Sequence, residues 1–333
     1  MKNQKIINKI ILATVIAITT MTFAGCNKAK TNDNGFCVDS KTAAKMAEKK
    51  NHNILVVATM EGEDQYSTEF VNNVLNNENF KEEISSKFIV LHLDFSMDAY
   101  EKTIVKNGVT KEEKKEAEKN ADIMQENTIF ASKLNLQTPP SIYILSKDMF
   151  FITELDYETD QITNYDSFKA LLESQQPVID EFNEQVKIAF SGKGNEKLGA
   201  INNIFEATDL PYRVFLTDLI DEFIATDKNN QSGLLSKYLI AKADIESAGY
   251  FNEGQVEKAV NVYVKAAKDL RLSPEDRQNC YYLAAYIMAA AQSTDINTIM
   301  EYLNTAVEVC PEGEDVPAIM EVINKFNQEF NLE

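Results

Sequence analysis

Four short apolar runs, rich in β-branched residues, are confined to the first half of the chain. They are NILVVAT (53–59), FIVLHLDF (88–95), SIYILS (141–146) and FFITEL (150–155). The first three are continuous rather than alternating, the pattern of strands buried on both faces under helices. The last two are separated only by Lys147, Asp148 and Met149, which predicts a hairpin. Helical spacing lies between the runs. Phe70, Val71, Val74 and Leu75 share a face in 67–76, Ile129, Phe130, Leu134 and Leu136 form a second stretch, and DSFKALLES (166–174) closes the series. The predicted order is β-α-β-α-β-β-α. From Val178 onward no strand signal recurs. The expected fold class is therefore α+β, an α/β domain over 45–175 followed by an all-α helical-hairpin, repeat-like domain over 176–333.

The amino end has a different character. Lys2, Lys5 and Lys9 form a positive segment without acidic residues, and 10–18 is apolar apart from Thr14. That is the layout of a secretion signal, too short and threonine-broken for a confident spanning helix. It ends in Phe23-Ala24-Gly25-Cys26, which resembles a bacterial lipobox, although Phe23 stands where leucine is usual. The resemblance implies cleavage after residue 25, lipidation of Cys26 with fatty acyl chains such as palmitate, and attachment to a membrane of the bacterial cell envelope. Residues 26–44 are mostly polar and read as a flexible tether.

Removing 1–25 leaves 30 basic residues against 52 acidic, a net charge near −22. With no basic stripe, such a surface repels nucleic acid and anionic headgroups. The two histidines, His52 and His92, form no H-E-x-x-H or Cys/His cluster, so neither a metal nor another cofactor is expected. There is no Gly-rich phosphate loop and no G-x-S-x-G, and no catalytic residues are assigned.

The ordered set in 45–175 resembles the thioredoxin family, especially its exported members. NILVVAT stands at their first central strand, NVLNNENF (73–80) at the close of their first helix, and FIVLHLDF at the following strand. Thr138-Pro139 stands at their cis-proline loop, before SIYILS. The resemblance covers about 120 of the 333 residues, and 96–127 stands out as an insertion. Within it, KEEKKEAEKN (111–120) pairs opposite charges at helical spacing and reads as a solvated helix or lid, or alternatively as an interaction arm. The departure from the family lies in its C-x-x-C, which falls here on Asp64-Gln65-Tyr66-Ser67; no cysteine lies between Cys37 and Cys280. Thiol–disulfide exchange needs a thiolate, so that activity does not carry over. What the resemblance still implies is a peptide-facing loop pair, Asp64, Tyr66 and Ser67 beside Thr138 and Pro139, with a cis bond at Thr138-Pro139 and strand-like pairing to an extended partner. The structural alternative is that Asp64 or Ser67 merely caps a helix and Pro139 merely ends one.

In the second half, Ala259, Val262, Tyr263, Ala266 and Leu270 fall on one helical face. Cys280, Leu283, Ala284, Ile287 and Ala291 fall on a second, and Ile299, Leu303, Ala306 and Cys310 on a third. Two of these helices repeat about 40 residues apart and resemble divergent tetratricopeptide hairpins, whose usual period is about 34. Cys280 and Cys310 come to similar heights in such a hairpin, which leaves a disulfide and two buried free thiols both open.

The expected function is non-enzymatic: a membrane-anchored, redox-inactive protein that binds a peptide or protein partner in the envelope. Two alternatives are an oxidoreductase using the non-motif cysteines and a solute-binding lipoprotein, which would need a second α/β lobe.

Overall fold

The computed structural model describes residues 31–330; the signal segment and Cys26 lie outside the described residues. The chain forms two units. The first runs through Val186 and includes Ile204–Leu216; the second comprises Lys187–Asn203 and everything from Thr217 on.

The first unit is built on four strands, β1 (Asn53–Thr59), β2 (Phe88–Asp94), β3 (Ser141–Leu145) and β4 (Phe151–Glu154). Their order across the sheet is β2-β1-β3-β4. β1 and β2 run parallel, and β3 is antiparallel to both neighbours. Six of the seven β1 residues are fully covered, as a continuous apolar run requires.

Helices follow the strands in the predicted order. α1 (Ser40–Lys50) precedes β1, and α2 (Gln65–Phe70), continued by a π turn (Val71–Leu75), links β1 to β2. α3 (Met97–Glu101) and α4 (Lys111–Lys133) lead to β3, and α5 (Thr159–Thr163) and α6 (Tyr165–Ser174) follow β4. One face of the sheet is covered by Phe70, Val74, Phe80 and Phe168, the other by Ala43, Ala47, Phe130 and Leu134.

Four expectations are corrected. The first concerns the 26–44 tether, which ends well before residue 44. Phe36 and Cys37 are buried; the Cys37 N–H donates to Val90 O, and its carbonyl accepts from His92 N, both at 2.9 Å. Asp39 then caps α1. The second concerns 96–127, which is no self-contained insertion. Its charged run is the front of the 23-residue α4, started by a Thr110/Glu113 capping box and continuous with Phe130.

The third correction moves the 175/176 boundary. Ile179 joins the core around Phe168, and the 3-10 turn Leu210–Leu216 returns to the sheet. Tyr212 stacks on Phe151 at 3.7 Å and donates to Glu154 at 2.6 Å, so the segment is held by ring contact and a charge-assisted bond. Fourth, the cis bond is Pro139-Pro140, one residue beyond the expected Thr138-Pro139. The intervening Pro139 has no N–H, so only its carbonyl is available for pairing.

The second unit holds α9 (Thr217–Thr226), α10 (Leu235–Asn252), α11 (Val256–Ala267), α12 (Pro274–Ala290), α13 (Ile296–Val309) and α14 (Val316–Phe330), each packed on the next. Here α7 (Gln176–Ser191) and α8 (Asn195–Ala207) are the helices divided between the two units. Ala259, Tyr263, Cys280, Ala284, Ile299, Leu303 and Ala306 are buried together as their spacing predicts. Leu270 is the exception at 82 % exposed, because α11 ends at Ala267.

Cys280 and Cys310 are free thiols, not a bridge. At their level the two helices are joined instead by buried Gln278, whose amide donates to Ala306 O and Cys310 O, both at 2.9 Å. Burial pushes the Cys37 thiol up to about 11 and Cys280 up to about 12. At pH 8 the thiolate fraction of either is therefore roughly one in a thousand or less. Both should resist iodoacetamide in the native protein and react on unfolding. Mass spectrometry after native alkylation checks this, and rapid native labelling of Cys280 would contradict its burial.

Candidate functional site

The register places Ala58 opposite Ser141 and Thr59 opposite Asp94. The loop after β1, the loop after β2 and the loop before β3 therefore meet at one end of the sheet. Asp64 is the N-cap of α2, and its carboxylate accepts from Ser67 N at 2.6 Å. Glu63 Oε1 accepts from Met97 N at 3.2 Å, tying the first two loops together. On the other side Ser141 Oγ donates to Thr138 O at 2.8 Å, and the Tyr157 hydroxyl donates to Pro140 O. Burial, then the charges of Asp64 and Glu154, push the Tyr157 hydroxyl up to about 12. It is thus a neutral donor at physiological pH, and the field of Asp64 reaches it.

Asp64, Ser67, Thr138 and Pro139 therefore belong to adjoining loops, with Tyr157 between them. The structure divides their roles. Ser67 is buried, and its Oγ has no hydrogen-bond partner among the described residues. Tyr66 is 46 % exposed and Thr138 is exposed, so these two are the ones a partner can touch. Replacing Asp64 by Ala should cost about 1 kcal/mol through the lost cap. Replacing Ser67 by Ala should be neutral or stabilising, since it removes an unpaired buried hydroxyl. Chemical denaturation of both variants tests the pair; a destabilising S67A would show that its hydroxyl is in fact satisfied.

Two features were missed by sequence reasoning. After β2, Met97, Tyr100, Ile104 and Val105 expose 44–46 % of their surface, and Val109 exposes 36 %. These side chains, with Tyr66, give the loop end an apolar flank, where the sequence pattern had drawn attention only to the charges of 111–120. The other is His92, counted beforehand only to exclude zinc. Its Nε2 lies 2.8 Å from the buried Thr59 Oγ1, and burial holds it below the usual histidine range, against the pull of Asp94. His92 and Asp94 line a cleft of about 380 Å³ with Asn32, Asn76, Asn120 and Asn127. A neutral imidazole hydrogen-bonded to a covered threonine is a structural tie across β1 and β2, since Thr59 is beyond the reach of a substrate.

Comparison with known proteins adds the following. Residues 234–331 match a family model described as an uncharacterised protein C-terminal domain, which takes in α10 to α14. An uncharacterized protein of Treponema pallidum (strain Nichols) is 26 % identical over 137 residues, 41 % of this chain and 46 % of its own length; the chain thus spans about half of that relative. Among solved structures, a DsbH oxidoreductase covers 47 % of this chain and 93 % of its own, at 10 % identity and a TM-score of 0.31.

Proposed function

We propose that this protein is a lipid-anchored, non-enzymatic binding protein of the bacterial envelope, and that a thioredoxin-like sheet end holds a peptide or protein partner without thiol chemistry. The observation that carries this reading is the apolar flank: Tyr66, Met97, Tyr100, Ile104 and Val105 are exposed beside the loops that begin α2 and β3. Exposed apolar side chains concentrated at one place mark interaction surfaces more often than chance. The mixed sheet with only β3 reversed agrees with the thioredoxin-like reading. The motif positions are Asp64, a cap, and Ser67, a buried hydroxyl, and the described thiols lie elsewhere, buried. The signal segment and Cys26 support the anchor from sequence alone.

A photo-crosslinking residue at Tyr66 or Tyr100 in living cells should yield one defined covalent adduct, absent when the crosslinker replaces Lys49 on α1. Tyr100→Glu combined with Val105→Glu should abolish the adduct at Tyr66 while leaving the far-ultraviolet circular dichroism unchanged. Equal adducts at all three positions would reject the site. Insulin reduction at the rate of an ordinary thioredoxin would reject the absence of thiol chemistry.

A further inference from the structure

The second unit carries a groove of about 520 Å³ whose charge is opposite to that of the chain. Its floor is apolar: Leu239 and Ala243 from α10, Val262 and Ala266 from α11, and Ile224 from α9. Its rim holds Lys242, Lys258, Lys265 and Arg271 against Glu246 and Asp269 alone, in a protein of net charge −19. Two of the cations are spoken for. Lys242 pairs with Asp221 at 2.5 Å and Glu246 at 3.7 Å, and Arg271 with Asp269 at 2.6 Å. Lys258 and Lys265 have no carboxylate within 4.0 Å among the described residues, and both are exposed. Lys258 lies 5.5 Å from the ring centroid of Tyr250, also on the rim.

We propose that this groove docks an acidic peptide segment of a partner protein, with apolar side chains between its carboxylates. The spacing supports a peptide over a small anion. Lys258 and Lys265 are seven residues apart on α11, about 10 Å along the helix axis. One phosphate cannot neutralise both stems at that separation, whereas an extended peptide covers it in about three residues. The residues between two such carboxylates would lie over Leu239, Ala243, Val262 and Ala266. A polyanion such as nucleic acid, or an anionic membrane, meets the acidic remainder of the chain, which repels it. A short segment meets only the groove, because at physiological salt charges are screened beyond about 8 Å. The site is independent of the sheet-end reading.

The test is fluorescence anisotropy with the full-length chain in non-ionic detergent and a labelled peptide of Glu-Leu-Leu repeats. The expected result is saturable binding that weakens with salt and falls at least about tenfold, or 1.4 kcal/mol, in the double variant Lys258→Glu, Lys265→Glu. The Lys258→Arg, Lys265→Arg variant should retain binding. A charge-matched control, Lys49→Glu with Lys268→Glu, should also retain it. Circular dichroism confirms that each variant is folded; the Lys258→Gln, Lys265→Gln variant takes the place of the reversal if that variant unfolds. Equal binding of a Gln-Leu-Leu peptide, equal loss in the control, or competition by a single-stranded oligonucleotide or by phosphatidylglycerol vesicles would overturn the proposal. So would peptide binding that survives the reversal but is lost on Tyr100→Glu, since that result moves the peptide to the first unit.

Discussion

Replacing Cys26 by Ala should move the protein from the membrane fraction to the soluble exported fraction, or leave it as uncleaved precursor, with complete loss of palmitate labelling. The argument rests on residues 1–26. Lys2, Lys5 and Lys9 precede the apolar 10–18 segment, and small Ala24 and Gly25 lead into the cysteine. If that thiol receives the lipid, each buried methylene contributes about 0.8 kcal/mol, and stable anchoring needs more than one chain. No helix among the described residues is long and apolar enough to cross a membrane, so none of them offers a helical span as a second hold. The effect is therefore expected to be all-or-none. Metabolic labelling with radioactive palmitate and fractionation read it directly; label persisting on the Ala variant would refute the assignment. The other cysteines cannot substitute in the folded chain, because Cys37, Cys280 and Cys310 are buried.

Much of the first unit was legible because its strands are covered on both faces. Such strands write themselves as unbroken apolar runs, and 53–59, 88–95, 141–146 and 150–155 contain β1 to β4. The segment before α1 was illegible for the opposite reason. Cys37 joins β2 through its own N–H and C=O, groups every residue carries, so a polar stretch betrays nothing of the pairing. The return of 204–216 was hidden because Pro211 signals a break but not the Phe151 ring that Tyr212 will stack upon. At the candidate site, the cap at Asp64 was readable from three residues of local sequence. Tyr157 was not: its bond to Pro140 joins residues 17 apart, and no local pattern encodes it. The apolar flank escaped notice because Met97, Tyr100, Ile104 and Val105 have the chemistry of core residues, and only the fold shows that nothing covers them.

Truncating Phe168 to Ala should be the most damaging single change in the first unit. Phe168 lies on α6 with none of its surface exposed. Its ring meets Phe70 of α2 edge-on at 5.2 Å and Phe80 at 6.1 Å, and Phe80 in turn meets Phe36 at 5.6 Å. One side chain thus joins the last helix of the α/β fold, the helix that starts at Asp64, and the segment ahead of α1. A Phe→Ala change in such a core costs about 3–5 kcal/mol, from lost transfer energy and the cavity left behind. That is a large part of the roughly 5–15 kcal/mol that holds a domain folded. For a unit of this size each kcal/mol lowers the melting temperature by roughly 2–4 °C, so a drop of roughly 6–20 °C is expected. Phe168→Leu keeps most of the volume and should cost much less. The same loss should reach the functional surface, since α2 carries Tyr66 and rests on Phe168 through Phe70. Thermal unfolding followed by circular dichroism measures the first effect, and crosslinking through Tyr66 the second. A melting temperature within 2 °C of the parent for Phe168→Ala would mean that these rings do not form the core on which the sheet-end loops are mounted.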